Sequence, residues 1–259
     1  MNKKNERINR MIDIIKSRQF VQLKELSALL GVSEMTIRRD IALLKANHVI
    51  ENMNGNIFYN PAHSVTKTDG EYSLTIELEK HLSQKDDIGR FAASLIEPDD
   101  IIILDTGSTT ERIAQHIPDH LHITALFYNI NILMGLCRKP SVQMMFSGGH
   151  YHSNTQMFEC PEGIKFISGV RAQKAFISAA GIHSTLGITC ANSYEVPTKR
   201  AILSSSLQRI LVADSNKFDA VRPAYFCQLS DIEVIVTDSG LSAEWRDLIT
   251  RMGITLHIV

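Results

Sequence analysis

One short segment carries a carboxylate, a glycine and four side-chain hydroxyls: Asp105, Thr106, Gly107, Ser108, Thr109 and Thr110. It follows the apolar run IIIL and precedes ERIAQHI, which has helical character, so it predicts the junction between a strand and a helix. Glycine lets the backbone approach an anion closely, and hydroxyls with the free N–H groups of a helix start can hold it. The segment predicts a phosphate cradle, or else a strand–helix turn that is merely well capped. It is not a P-loop, because GxxxxGK[ST] is absent.

Two lysines later in the chain are candidate cations for the same phosphate. Lys199 follows Pro197, and a proline in the first turn would place this lysine near a helix N-terminus. Lys217 comes soon after Asp214, which ends another apolar run and can accept a hydrogen bond from a sugar hydroxyl. Glu195 can accept one in the same way, although a surface ion pair explains it nearly as well.

Two further pairs of residues follow apolar runs. Tyr128 and Asn129 follow ITALF, and a tyrosine can stack on a sugar or hydrogen-bond it, so we expect this pair to select one phosphosugar from another. Gly148 and Gly149 follow VQMMF and allow a second close backbone approach, or form an ordinary turn. His150 and His152, which follow these glycines, lack a third ligand at metal spacing, so we expect no metal site and no cofactor.

Two adjacent arginines, Arg38 and Arg39, suit a different partner. A guanidinium group can bond guanine bidentately or clamp a backbone phosphate of DNA. Both lie in LGVSEMTIRRDI, where Gly31 is typical of a helix end and Ser33 of the N-cap of the next helix. Helix, tight turn and helix is the layout of a helix-turn-helix module, although a solvated basic face on a helical hairpin is the alternative.

Helical periodicity indicates which residues of the module face outward. In the first helix an apolar face recurs at i, i+3 and i+4, and in the second a buried stripe recurs at i, i+4 and i+7. These apolar positions are Leu26, Leu29 and Leu30, and then Ile37, Ile41 and Leu44. The residues on the exposed side near the start of the second helix are the predicted DNA contacts: Ser33, Met35, Thr36, Arg38 and Arg39.

The flanking segments favour a winged helix. Residues 7–20 predict a first helix with Ile8, Met11, Ile12 and Ile15 inward. After the second helix, HVIENMNGNIFY alternates around Asn54 and Gly55, a strong hairpin signal because both turn positions need positive φ. This wing has no Lys or Arg after Lys45, so its asparagines touch phosphates or it only packs.

The remaining chain predicts a parallel α/β sheet. Residues 71–95 read as one helix, and continuous apolar runs then alternate with helical stretches, as in strands buried on both faces. Ligands of such sheets bind beyond the carboxyl ends of the strands, where the candidate phosphate residues lie. We expect a winged helix-turn-helix at 1–60, a linker at 61–72 and an α/β domain at 73–259.

Composition agrees with a small basic head on an acidic body. Of the 259 residues, 44% are hydrophobic and the net charge is −1. Residues 1–60 carry ten Lys or Arg against six Asp or Glu, whereas the rest carries 17 against 22. The four cysteines form no CxxC, the start of the chain has no apolar signal segment, and no apolar run is long enough to span a membrane. We expect a cytoplasmic protein with reduced thiols.

The chain resembles the DeoR family of bacterial transcriptional repressors. The similar segments are LGVSEMTIRRDI, ILDTGSTT, SGG at 147–149, KAFISAAGI and LVADSNKF. The resemblance implies a sensor domain related in fold to sugar-phosphate isomerases, and a phosphorylated sugar that releases operator DNA. TALFYNIN departs from the usual family pattern, and with GGHYHSN, AAGIHSTLGITC and NSYEVPTKR it points to one particular member.

Two other functions use the same parts. An activator would differ only in operator position. An enzyme with a DNA-binding head would need a poised base near the substrate carbon, and Asp105, Asp214 and Glu195 are equal candidates, so we expect no enzyme. Because one winged helix reads only a short half-site and dimers read two, we also expect a homo-oligomer without a membrane partner.

Overall fold

The computed structural model describes residues 7–8, 10–12, 14–15, 18, 21–46, 50–53, 56–59 and 72–259. Contacts divide the chain into two compact units, residues 1–71 and 72–259. The expected hairpin turn at Asn54 and Gly55 lies outside the described residues, and so does the expected linker apart from Tyr72.

The first unit has the strand and helix order of a winged helix-turn-helix. The described residues between 7 and 15 are helical. They are followed by β1 (Val21–Gln22), α1 (Leu23–Leu30), α2 (Glu34–Ala46), β2 (Ile50–Met53) and β3 (Asn56–Tyr59). The three strands form an antiparallel sheet of order β1-β3-β2.

The turn between α1 and α2 forms as the sequence predicts. Gly31 ends α1 with φ of 63°, a left-handed conformation that favours glycine. The Ser33 hydroxyl accepts the backbone N–H of Thr36 at 3.3 Å, so it caps α2. The predicted stripe of α2 is buried with Leu26, but Leu29 is 38% exposed, so the expectation of an inward Leu29 is wrong.

The second unit contains a seven-stranded parallel sheet of order β15-β14-β12-β9-β4-β5-β6. Every apolar run of the sequence becomes one of its strands, which confirms the predicted sheet. Its strands are β4 (Ile101–Leu104), β5 (Ile123–Phe127), β6 (Val142–Phe146), β9 (Ala172–Ile177), β12 (Ser206–Val212), β14 (Val234–Thr237) and β15 (Thr255–Ile258). Antiparallel additions are β7 (His150–His152) with β8 (Met157–Glu159), and β10 (Gly181–His183) with β11 (Gly187–Cys190) and β13 (Ala224–Cys227).

Helices cover both faces of this sheet, and each face has its own apolar core. Neighbouring residues of β4 alternate between the cores, with Ile103 in one and Ile102 and Leu104 in the other. The helices are α3 (Leu74–Glu79), α4 (Leu82–Ser94), α5 (Ser108–His116), α6 (Ile130–Leu136), α7 (Pro161–Gly169), α8 (Glu195–Ser205) and α9 (Ala243–Arg251), with 3₁₀ turns at Ser215–Lys217 and Leu229–Asp231.

Two predictions from the sequence are wrong for the second unit. The single helix expected over residues 71–95 is two helices, because the chain turns at Lys80 and His81, where His81 has φ of 51°. The run VQMMF, expected to be buried, forms the edge strand β6, so Met144 and Phe146 are exposed. The short strands of the antiparallel additions escaped prediction because three or four residues make no recognisable apolar run.

Candidate functional site

A turn at the carboxyl end of β4 leads into α5 and leaves the start of that helix open. Gly107 precedes α5, and no side chain of the described residues caps the helix. A Cβ on Gly107 would lie 2.6 Å from Cβ of Ser178, so only glycine fits here. The Thr110 hydroxyl donates to the backbone oxygen of Asp105 at 2.6 Å and closes the turn. The first N–H groups of α5 remain available to an anion.

Asp105 lies beneath this turn and is fully buried. Its Oδ2 accepts hydrogen bonds from the backbone N–H of Ser178 at 2.8 Å and from the Ser178 hydroxyl at 3.0 Å. The same oxygen pairs with Lys199 Nζ, and Oδ1 accepts the hydroxyl of Tyr128. This carboxylate therefore ties together β4, β9, α8 and the end of β5.

Lys199 projects from α8 and is 1% exposed. Pro197 lies in the first turn of α8, so Lys199 is near the start of that helix. Burial acts to lower the pKa of Lys199, but the carboxylates of Asp105 and Glu195 outweigh it and raise that pKa. The ammonium group therefore stays charged at neutral pH, held against Asp105 and the backbone oxygen of Ser178.

These groups border a cleft of about 430 Å³, part of it open to solvent. The cleft lies at the carboxyl ends of β4, β9 and β12, where a parallel sheet binds its ligands. Its lining residues are Tyr72, Glu77, Thr106, Gly107, Ser108, Thr109, Ser178, Ala179, Ala180, Cys190, Ala191, Glu195, Lys199, Val212, Ala213 and Lys217.

Burial acts in the same direction on two titratable groups of the cleft wall, Glu195 and Cys190. Glu195 accepts hydrogen bonds from the backbone N–H and the side-chain amide of Asn192, each at 2.9 Å, but burial raises its pKa. Burial also raises the pKa of Cys190 to about 12, so its thiol is protonated and unreactive. Glu195 can form a hydrogen bond with a ligand hydroxyl, whereas the protonated thiol of Cys190 only fills space on the wall.

Lys217 enters the cleft from the 3₁₀ turn after β12. Its Nζ contacts Glu77 Oε2 at 2.6 Å, and Lys80 Nζ contacts Glu77 Oε1 at 2.8 Å. Burial acts to raise the pKa of Glu77, but the hydrogen bonds from Lys217 and Lys80 outweigh it and lower that pKa to about 2. The carboxylate is charged throughout the physiological range.

The start of α2 in the first unit presents a second polar surface. Met35 is 71% exposed, and the Arg38 side chain is 66% exposed and lies 3.9 Å from the Glu34 carboxylate. Arg39 is exposed as well, so both guanidinium groups are accessible. The opposite side of α2 holds Asp40, which is 1% exposed and accepts Arg7 Nε at 2.8 Å.

Both units match models of one protein family. A DeoR-like helix-turn-helix domain matches residues 7–60, and a DeoR C terminal sensor domain matches residues 80–239. The Deoxyribose operon repressor of Escherichia coli (strain K12) is 33% identical over 236 residues, which cover 91% of this chain and 91% of that protein. The chain belongs to the DeoR family. The predicted family, the resemblance to this member and the predicted fold class are confirmed.

Other proteins of known name are also similar to this chain. The HTH-type transcriptional repressor GlcR of Bacillus subtilis (strain 168) is 27% identical over 253 residues, 98% of this chain and 95% of that protein. Among solved structures, ribose 5-phosphate isomerase A of Methanocaldococcus jannaschii has a TM-score of 0.39 and 12% identity over 52% of this chain and 53% of that chain. None of the helices in the described part of the chain has the length and hydropathy to traverse a bilayer.

Seven of the effector-site residues predicted for this DeoR protein line the cleft: Thr106, Gly107, Ser108, Thr109, Glu195, Lys199 and Lys217. Asp105 and Thr110 lie directly beneath it and organise the turn. Tyr128 is only 1% exposed and gives its hydroxyl to Asp105, so it supports the floor of the cleft and does not line it. Asn129 is fully buried and donates to the Thr106 hydroxyl at 3.4 Å.

Three other predicted residues lie off the cleft wall. A Cβ on Gly149 would lie 2.4 Å from the backbone oxygen of Glu159, so the close approach here is to β8. Gly148 adjoins it in the same loop. Asp214 is buried and caps the turn that carries Lys217, by accepting Asn216 N–H at 3.2 Å.

Four polar residues of the cleft wall were not predicted from the sequence: Tyr72, Glu77, Ser178 and Cys190. Ser178 directly follows β9, so the rule that ligands meet strand ends contained enough information to find it. Tyr72 and Glu77 come from the segment before the sheet, where a charged helical stretch gives no sign of facing a ligand. Among described residues no three His, Cys, Asp or Glu side chains are grouped to hold a metal ion.

Proposed function

We propose that this protein represses a carbohydrate or deoxynucleoside catabolic operon by binding operator DNA through α2, and that a phosphorylated sugar in the cleft releases the DNA. The observation that carries the proposal is an uncapped helix start beside two lysines, in a chain whose other unit presents two exposed arginines. The names of the deoxyribose operon repressor and GlcR support the same role.

The cleft suggests how each part of the effector is held. The phosphate accepts N–H groups from the start of α5, the hydroxyls of Ser108 and Thr109, and Lys217. Glu195 bonds a sugar hydroxyl. Deoxyribose 5-phosphate is the first candidate, because the deoxyribose operon repressor is a relative at 33% identity over 91% of this chain. Tyr128 and Asn129 affect this selection indirectly, because they lie beneath the cleft and donate hydrogen bonds to Asp105 and Thr106.

Release of DNA requires that the effector bind two conformations with different affinity. We propose that residues 1–60 form the DNA-binding domain, 61–72 the linker and 73–259 the sensor, and that the protein acts as a cytoplasmic homo-oligomer. Paired heads then read two half-sites, and a change in their spacing alters DNA affinity. The DNA contacts are Ser33, Met35, Thr36, Arg38 and Arg39, with Ser33 acting mainly as the cap of α2.

Replacing Lys217 by alanine should leave operator binding intact and raise the concentration of deoxyribose 5-phosphate needed for release. A lost charge-assisted hydrogen bond costs about 1.5–3 kcal/mol, so roughly 10- to 150-fold more effector is needed. Thr109→Val should act in the same direction by removing a neutral donor. Gel-shift titrations of operator DNA with increasing effector measure both effects.

Lys165→Ala is the matched control, because this exposed lysine lies on α7 away from the cleft. It should respond to effector like the unmodified protein. If Lys217→Ala and Thr109→Val both release DNA at the normal effector concentration, the phosphate binds elsewhere.

Catalysis is the competing function, and one observation favours testing it: Glu195 has a raised pKa and shares the cleft with Lys199. We propose a receptor without turnover, since a receptor needs the same carboxylates only to bind hydroxyls. Incubation with ribose 5-phosphate or deoxyribose 5-phosphate should give no isomerised product by NMR. Turnover that disappears in Glu195→Gln would establish an enzyme instead.

A further inference from the structure

Glu77 is out of place in a cleft that binds phosphate, because its carboxylate is an anion on the cleft wall. It is not loosely attached there. Its two oxygens contact Lys217 at 2.6 Å and Lys80 at 2.8 Å, and its backbone oxygen accepts Lys85 Nζ. Three lysines therefore converge on this one residue.

The two lysines that line the cleft differ in how firmly their carboxylate partners are held. Lys199 pairs with Asp105, and both side chains are essentially inaccessible, at 1% and 0% exposure. Asp105 also accepts three other hydrogen bonds, so it cannot leave Lys199 without breaking the floor of the cleft. The Lys217–Glu77 pair is 18% and 14% exposed, and its carboxylate side chain belongs to a six-residue helix. An incoming anion can replace Glu77 but not Asp105.

The helix that carries Glu77 is the first element of the second unit, which begins at Tyr72. At the amino end of this helix, Leu74 N–H donates to Asn154 O at 2.7 Å, and Gln156 donates to the Thr75 hydroxyl at 3.0 Å. At its other end the Glu77 side chain pairs with Lys217 on the cleft wall, and the Glu77 backbone oxygen accepts Lys85 Nζ. Breaking the Glu77–Lys217 pair therefore loosens the carboxyl-terminal part of α3, which keeps its contact with Lys85.

We propose that Glu77 is an internal competitor of the effector phosphate: the phosphate takes Lys217 from it and so loosens the end of α3 at the cleft wall. The exchange is non-covalent, and the displaced carboxylate keeps Lys80 and gains water. A phosphate carries more charge than a carboxylate and also reaches the N–H groups of α5, so it can win Lys217. The proposal rests on the proposed function in one respect, namely that a sugar phosphate binds in this cleft.

Because Glu77 and the effector compete for one cation, removing the charge of Glu77 should strengthen effector binding. We expect Glu77→Gln in the full-length protein to bind deoxyribose 5-phosphate and inorganic phosphate at least about fivefold more tightly by isothermal titration calorimetry. Combining it with Lys217→Ala should erase that gain, because the contested cation is then missing. Glu97→Gln is the matched control: Glu97 also pairs with a lysine, Lys174, but is 77% exposed and outside the cleft.

A second measurement uses the unmodified protein and so does not depend on how a variant folds. Saturating deoxyribose 5-phosphate should increase amide hydrogen exchange in residues 74–80 while slowing exchange at the start of α5. Greater protection of residues 74–80 on binding would overturn the proposal, and so would equal or weaker binding by Glu77→Gln. If neither protein binds any of these anions, the proposed effector site itself fails. If the unmodified protein binds and Glu77→Gln gains nothing, only the role of Glu77 fails.

Discussion

Replacing Arg38 and Arg39 together by alanine should weaken operator binding by up to about 6 kcal/mol, because each bidentate contact to a base contributes about 1–3 kcal/mol. Both side chains extend from the exposed side of α2, and the 3.9 Å contact of Arg38 with Glu34 is long for an ion pair. The fold of the first unit should survive, since the buried side of α2 is unchanged and Asp40 keeps its bond to Arg7.

Fluorescence anisotropy with the upstream region of the regulated operon measures this loss. The slope of log affinity against log salt should also become shallower, by about 1 for each arginine that neutralises a phosphate. Arg90→Ala is the control, because Arg90 is an exposed arginine of the second unit paired with Asp86. Affinity unchanged by the double replacement would show that another surface reads the DNA.

Asp105→Asn should lower the free energy of unfolding by about 3–5 kcal/mol, the usual cost of leaving a buried charge without its partner. The substitution preserves shape but leaves the Lys199 ammonium, at 1% exposure, without its counter-charge. It also replaces an acceptor of the Tyr128 hydroxyl and of Ser178 with an amide that accepts only at one atom. Urea unfolding followed by circular dichroism measures the loss.

The pH dependence of that loss has a definite sign. The pKa of Lys199 is raised in the folded protein, so the pair stabilises fully below the unfolded lysine value, about 10.4, and loses this contribution as pH rises through the folded value. The difference between Asp105→Asn and the unmodified protein should therefore be constant near neutrality and shrink above about pH 10.

Asp87→Asn is the control for this experiment. Asp87 pairs with Arg90 at 3.4 Å on the surface, where the aspartate is 49% exposed, so its loss should change stability by less than about 0.5 kcal/mol. A similarly small change in the free energy of unfolding for Asp105→Asn would mean that Asp105 does not stabilise the buried charge of Lys199.

Much of the fold follows from the sequence because local rules and burial agree. Continuous apolar runs identify the seven parallel strands, and Gly31 and Ser33 mark the turn between the first two helices. The strand-end rule brings Thr109 and Lys217, far apart in the chain, to one cleft. Each of these features can be predicted because it depends only on the type of a residue and its position relative to its neighbours in the sequence.

The rest depends on which neighbour a side chain meets, and no pattern encodes that. Tyr128 follows a strand just as Thr106 does, yet its hydroxyl turns inward to Asp105. Glu77 belongs to a charged segment that is typical of a solvent-exposed helix face, but contacts with three lysines hold it at the cleft. Side-chain pairing across many residues of separation is a property of the folded chain.

The alanine-rich wall of the cleft has a practical consequence for making a biosensor from this protein. Ala179 and Ala191 line the cleft and are half-buried, so larger side chains there would reshape the wall and leave the charged floor in place. A library randomised at these two positions can therefore explore new inducers. Randomising Asp105 would instead remove the counter-charge of the buried Lys199 ammonium, so most members of that library would be unstable.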